Sequence, residues 1–303
     1  ITKAIGLYSH AEGSGTTASG TSSHAQGVNT LAIGLGAHAE GSGTTASGDY
    51  SHAEGYNTRP NGKISHAEGN KTISEAEGGH AEGFGTRVEG VYGHSEGLLT
   101  LAYGQYSHAE GGFYDVKAAT YVSGGTAIGD GSHAEGISTI ASELGSHAEG
   151  WDSIAYGQSS HAEGKATSAS TYSHSEGNRT HAYGGSSHAE GALSESRSYG
   201  SHAEGLGTYA YGQGSHTEGY GTITNADRAH AEGFGSIASG VASHAEGAFS
   251  NASGYGSHAE GGEWIDGIPV IILSGGNASG TASHAEGLMT IASGRTAHAE
   301  GSG

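Results

Sequence analysis

A histidine and a glutamate two residues apart recur every fourteen residues, and that period limits the fold more tightly than any other feature. The histidines stand at 10, 24, 38, 52, 66, 80, 94 and 108, at 133, 147 and 161, at 174, 188, 202, 216, 230, 244 and 258, and at 284 and 298. The step is fourteen except for a short one from 161 to 174 and two long ones, from 108 to 133 and from 258 to 284. Each unit reads S-H-A-E-G-x-x-T-x-A-x-G-x-x. A fixed short period is the mark of stacked repeats, in which one unit buries its small face only against the next.

Alternation decides between helix and strand. In Ser201-His202-Ala203-Glu204-Gly205 small residues alternate with large polar ones, and Thr208-Tyr209-Ala210-Tyr211-Gly212 does the same. A period of two belongs to strands. Glycine at each strand end allows the positive φ of a tight turn. One repeat is then one coil of a narrow parallel β-solenoid with two short strands on opposite walls. The sequence has 59 glycines and only 33% hydrophobic residues, a composition that by itself suggests disorder; the strict period argues against it. With no cysteine there is no disulfide framework. No apolar run is long enough to span a membrane, and no signal segment opens the chain. The repeat phase at both ends suggests a fragment of a longer polypeptide, read here as a single continuous repeat domain over 1–303.

Inside such a coil lie only Ser, Ala, Gly and Thr. Burial of alanine-sized groups at roughly 25 cal/mol per Å² offsets little of the roughly 1–2 kcal/mol of entropy lost per ordered residue. Association of identical chains, three by expectation, supplies the rest. The outward residues of the second strand vary (Thr17 and Ser19, Leu31 and Ile33, Arg59 and Asn61, Tyr209 and Tyr211), whereas those of the first hardly vary. The uniform wall is therefore expected to meet copies of itself at a three-fold axis. That wall is represented by His10, Glu12, His24, Gln26, His38, Glu40, His52, Glu54, His108, Glu110, His202, Glu204, His244 and Glu246.

Nineteen of the 31 acidic residues occupy the motif glutamate position, so the ladder accounts for almost the whole formal charge of −20. Stacked carboxylates at the spacing of strands repel by about 1 kcal/mol per neighbour even in water. Each then needs a donor, and imidazole is the obvious one. A carboxylate raises a histidine pKa while burial lowers it. The preferred reading is a hydrogen-bond and ion-pair ladder that fixes register. A second is a string of metal sites along the axis, with ligands that suit zinc; no resident cofactor is expected under the first. Catalysis fits poorly, because twenty equivalent sets provide no single shaped pocket. An exposed acidic face does not explain the uniformity.

Both long steps open after a SHAEG strand and are bracketed by glycine pairs, giving loop insertions at about 112–125 and 262–276. Phe113, Tyr114 and Tyr121 decorate the first, Trp264, Ile265, Ile271 and Leu273 the second. Such loops contact partners, or fold back against the rod. Threonines 16, 30 and 44 point inward, which excludes a regular outward threonine face. With 11 basic residues, nucleic-acid binding is not expected.

Ala4-Ile5-Gly6, Leu31-Ala32-Ile33-Gly34 and Thr126-Ala127-Ile128-Gly129 resemble the fourteen-residue head repeat of trimeric autotransporter adhesins of the YadA type, S-V-A-I-G-x-x-S-x-A-x-G. The resemblance implies a left-handed parallel β-roll that trimerises about an axis. Where that family has Val and Ile this chain has His and Glu, so the seam is polar. The SHAEG variant looks like repeats of Gram-positive bacterial and phage tail-fibre proteins. Together these readings predict an all-β homotrimeric rod about 95 Å long. Its expected role is a non-enzymatic segment of an extracellular fibre that mediates attachment at a cell surface, with the shaft of a phage tail fibre as the alternative. Its partners would be itself and a host-surface protein or glycan receptor.

Overall fold

Parallel strands, two to five residues long, build both of the units into which the chain divides, Ile1–Ser159 and Ser160–Gly303. The computed structural model describes residues 1–265 and 271–302, and no helix occurs among them. The fold is an all-β parallel solenoid. In the first unit the SHAEG strands pair in register fourteen residues apart, for example His38↔His52 and His66↔His80, so like residues stack on like. The T-x-A strands form the opposite ladder, as in Thr17↔Leu31 and Ile73↔Arg87. The second unit repeats the plan, with His188↔His202 on one wall and Tyr209↔Ile223 on the other.

The core is as small as the alternation predicts. Ala25, Ala39 and Ala53 of the SHAEG strands and Ala18, Ala32 and Ala46 of the T-x-A strands form one buried cluster. Thr16, Thr30 and Thr44 are buried as expected. The motif serine has a task that its place in the pattern did not disclose: its hydroxyl donates to the carbonyl of the glycine three residues earlier, as in Ser51 Oγ to Gly48 O (2.7 Å) and Ser215 Oγ to Gly212 O (2.7 Å). The hydroxyls of Thr100 and Thr222 likewise donate to Glu96 O and Glu218 O (3.0 Å each). At the glycine corner the hydroxyl adds a second bond to a carbonyl that already accepts the serine's own N–H, as Gly48 O does from Ser51 N (3.2 Å).

The two motif glycines serve different needs, which corrects the expectation of a positive φ at both strand ends. Gly41, at the end of SHAEG, has φ +104, whereas Gly48, after T-x-A, is not in the left-handed region. Gly48 is required because a Cβ there would fall on the carbonyl of Gly62 in the next coil. The positive φ of that corner comes two residues later, at Tyr50 (58°) and, in the next coil, at Ile64 (51°).

Three local exceptions follow the same physics. Pro60 takes an inward alanine position, and the T-x-A sheet divides there, because proline has no N–H to return to the preceding coil. Ser47 N still donates to Pro60 O (3.1 Å). Val88 is a buried branched side chain in a core of Ala, Ser and Thr. Gly79 and Gly93 replace the motif Ser on either side of it, and a Cβ at either would come within 2.9 or 3.0 Å of Val88 Cγ1. The short step loses its residue at the second corner: Ser170 takes the glycine place and donates to Gly184 O (2.8 Å), while His161↔His174 stay paired.

Both insertions are antiparallel hairpins, Phe113–Asp115 with Thr120–Val122 and Glu263–Ile265 with Ile271–Leu273. Each leaves and rejoins at the same corner: Gly124 N donates to Leu98 O (3.0 Å) and Gly275 N to Ala248 O (2.8 Å). The ladders close beneath them, with His108↔His133 and His258↔His284 in register. Of Trp264, Ile265, Ile271 and Leu273, the candidate contact residues, only the backbone is described, and residues 266–270 and Gly303 lie outside the described residues.

Candidate functional site

The SHAEG segment, whose strand begins at the His, turns Ser and Ala inward, so His and Glu emerge together on the outer wall. His38 Nε2 and Glu40 Oε2 are 3.8 Å apart, His66 and Glu68 3.5 Å, and in the second unit His188 and Glu190 3.5 Å and His202 and Glu204 3.8 Å. His10 with Glu12 and His108 with Glu110 repeat the pairing at 3.8 and 3.9 Å. Gln26 continues the register between Glu12 and Glu40. Of the remaining candidates, His24 and His52 stack at 4.8 Å on either face of His38, while Glu54 pairs across to Glu68.

Imidazole stacks on imidazole at the coil spacing. Ring centroids lie 4.8 Å apart from His38 to His52 and from His108 to His133, with planes 2° and 3° apart. In the second unit His230 and His244 are 4.7 Å apart at 1°. Two protonated rings at that distance would repel by about 1 kcal/mol in water and several times that near protein. Burial, aided by the neighbouring rings, holds the pKa values of His38, His66, His94 and His133 below the ordinary histidine value. The strongest case is His202, lowered to about 4 by burial and by His216 and His188. The competition between burial and carboxylate is thus won by burial, and these rings are neutral at pH 7.

The carboxylates solve their repulsion differently from the expected imidazole donors. At 3.5–3.9 Å the separations above exceed a hydrogen bond. His284 comes nearer, with Nε2 3.4 Å from Glu260 Oε1. Glutamates instead pair with glutamates. Burial, a hydrogen bond with Glu96 and the charge of Glu135 push Glu110 up to about 7. Hydrogen bonding with Glu218 and Glu246 pushes Glu232 up to about 7 as well, while Glu218 is held below the usual range by its bond with Glu232, and Glu246 by its bonds with Glu260 and Glu232. Such alternation is what a row of carboxyls sharing protons produces.

The first hairpin does not stand free. Tyr114 packs on Tyr121 (5.1 Å), and Tyr121 on Phe84 of the solenoid wall (5.0 Å). Phe113 is exposed at the hairpin base, paired with Val122. Phe84 escaped the sequence reading because it lies in the first variable position after a motif; its proximity to an insertion 29 residues later appears only once the coils are stacked. The extra histidine, His181, sits on the T-x-A ladder, with Nδ1 2.7 Å from Ser168 Oγ.

No protein-family model matches the chain, and no curated protein matches it.

Proposed function

We propose that this chain is a non-enzymatic structural segment of a homotrimeric extracellular fibre that mediates surface attachment. Three left-handed rolls lie with their His/Glu walls facing a common axis. The observation that carries this reading is the contrast between the walls: one presents the same two ladders coil after coil, the other changes at every coil. Solvent imposes no such uniformity, whereas a self-complementary seam must repeat in step with the partner coils. The slight core supports the same reading, since an interior of Ala, Ser and Thr leaves much of the stabilisation to come from outside the chain. The resemblance to adhesin head repeats gives the hand of the coil and the extracellular setting. The hairpin carrying Phe113, Tyr114 and Tyr121 is the surface offered to a host protein or glycan. Cross-linking and proteolysis test the assignment: the purified chain should cross-link to three copies and resist protease, and deletion of residues 113–122 should abolish binding to the target surface while leaving the trimer intact. Unimpaired binding after that deletion would refute the receptor role of the hairpin.

A further inference from the structure

A second property of the ladder wall resides within one chain and does not depend on the trimer. In the unit Ser160–Gly303 several carboxylates lie between the imidazoles of successive coils. Glu232 places Oε2 4.0 Å from His230 Nε2 and Oε1 3.8 Å from His244 Nε2. Glu260 does the same, 3.8 Å from His258 and 3.4 Å from His284. The Nε2 atoms of His230, His244 and His258 are shielded from solvent and have no hydrogen-bond partner. A shielded ring nitrogen and a carboxylate oxygen that face each other at this range present two donor atoms to a common point.

We infer that His230, Glu232 and His244, and likewise His258, Glu260 and His284, each bind a divalent transition cation of the zinc type. Ligands at 2.0–2.2 Å around a tetrahedral ion are about 3.4 Å from one another. The imidazole–carboxylate gaps are equal to that or wider by up to 0.6 Å, while the paired rings, stacked 4.7 and 4.8 Å apart, must tilt towards each other to bring both Nε2 atoms onto one ion. Imidazole with carboxylate suits zinc and its neighbours, while magnesium and calcium prefer oxygen alone. Further His–Glu–His groups, among them His66–Glu68–His80 and His174–Glu176–His188, have ligand atoms all within 4.8 Å of one another. The triad His244–Glu246–His258 has the same form, at 3.7 and 3.9 Å, but shares both imidazoles with its neighbours. Each Nε2 has a single lone pair, so adjacent triads exclude each other and ions occupy alternate coil pairs. The fourth position is left for water or for a group from another chain.

Chelator-stripped full chain is titrated with Zn²⁺ by calorimetry and with Co²⁺ by visible absorption, alongside the double variant Glu232→Gln/Glu260→Gln. The wild type is expected to bind Zn²⁺, to give the intense spectrum of tetrahedral cobalt, and to retain zinc against a hundredfold excess of Ca²⁺; the double variant loses these two ions. Absence of zinc uptake, unchanged stoichiometry in a folded double variant, or displacement by Ca²⁺ would overturn the inference. The cobalt spectrum of the wild type decides the matter even where the variant does not fold, because a weak octahedral spectrum excludes the site. Sedimentation of the stripped protein separates this result from the oligomeric reading.

Discussion

A methyl group added at three glycines of the first unit separates backbone strain from the close approach of neighbouring coils. Gly131 has φ +61, and no atom lies within 4 Å of a Cβ built there, so Gly131→Ala meets left-handed strain alone, about 1 kcal/mol. Gly48 carries no such φ, but its Cβ would land on Gly62 O. Gly48→Ala must push the coils apart at the bonds from Ser47 N and Gly48 N to Pro60 O (3.1 and 3.3 Å). Overpacking and two weakened hydrogen bonds together come to about 3 kcal/mol. Gly41 combines both problems, with φ +104 and Gly55 O in the path of the Cβ, and strain of that kind adds about 1–3 kcal/mol, for a total near 5 kcal/mol. Native-state hydrogen exchange reads each loss at the amides of its own coil, which suits a repeat fold whose unfolding is not all-or-none. Equal costs at the three positions, or a larger one at Gly131 than at Gly48, would refute the claim that coil contact rather than turn geometry selects the second glycine.

Gly93→Ala should destabilise by about 1–3 kcal/mol in the presence of Val88 and be close to neutral in a Val88→Ala background; additive effects in that double-mutant cycle would show that the two positions do not share space. Histidines whose folded pKa is depressed bind fewer protons than in the unfolded chain, so metal-free protein should lose stability as pH falls from 6.5 towards the value of about 4 held by His202, and a flat melting profile over that window would contradict the neutral stack. Glu110 has the opposite sign, its folded pKa being raised to about 7, so its contribution is full below the ordinary carboxylate value and lost as pH rises through 7; Glu110→Gln should accordingly gain on the wild type between pH 4.5 and 7, and a constant difference would count against the raised pKa.

Much of this architecture could be read directly from the sequence because the repeat carries it twice over. Alternation in residues 201–205 fixed strand, inward face and outward face, and the period fixed register. The distinction between the two glycines was hidden, since a positive φ and a close backbone approach both demand glycine and leave the same letter. Val88 with Gly79 and Gly93 was hidden for another reason: each alone is an ordinary variation, and their compensation exists only after neighbouring coils are stacked. The two rows of like residues were legible in the repeat, yet the way they balance charge was not. Sequence suggested imidazole as donor to every carboxylate, whereas the strand geometry places successive rings over one another and brings carboxyls within reach of carboxyls, so that desolvation controls the imidazole row and hydrogen bonding between carboxyls most of the glutamate row.

The most direct measurement of the central claim is the mass of the chain in solution by sedimentation equilibrium at neutral pH. The proposed three-fold seam of His/Glu walls requires a single species of three times the chain mass, stable to dilution. A stable, folded, monodisperse single chain would contradict it.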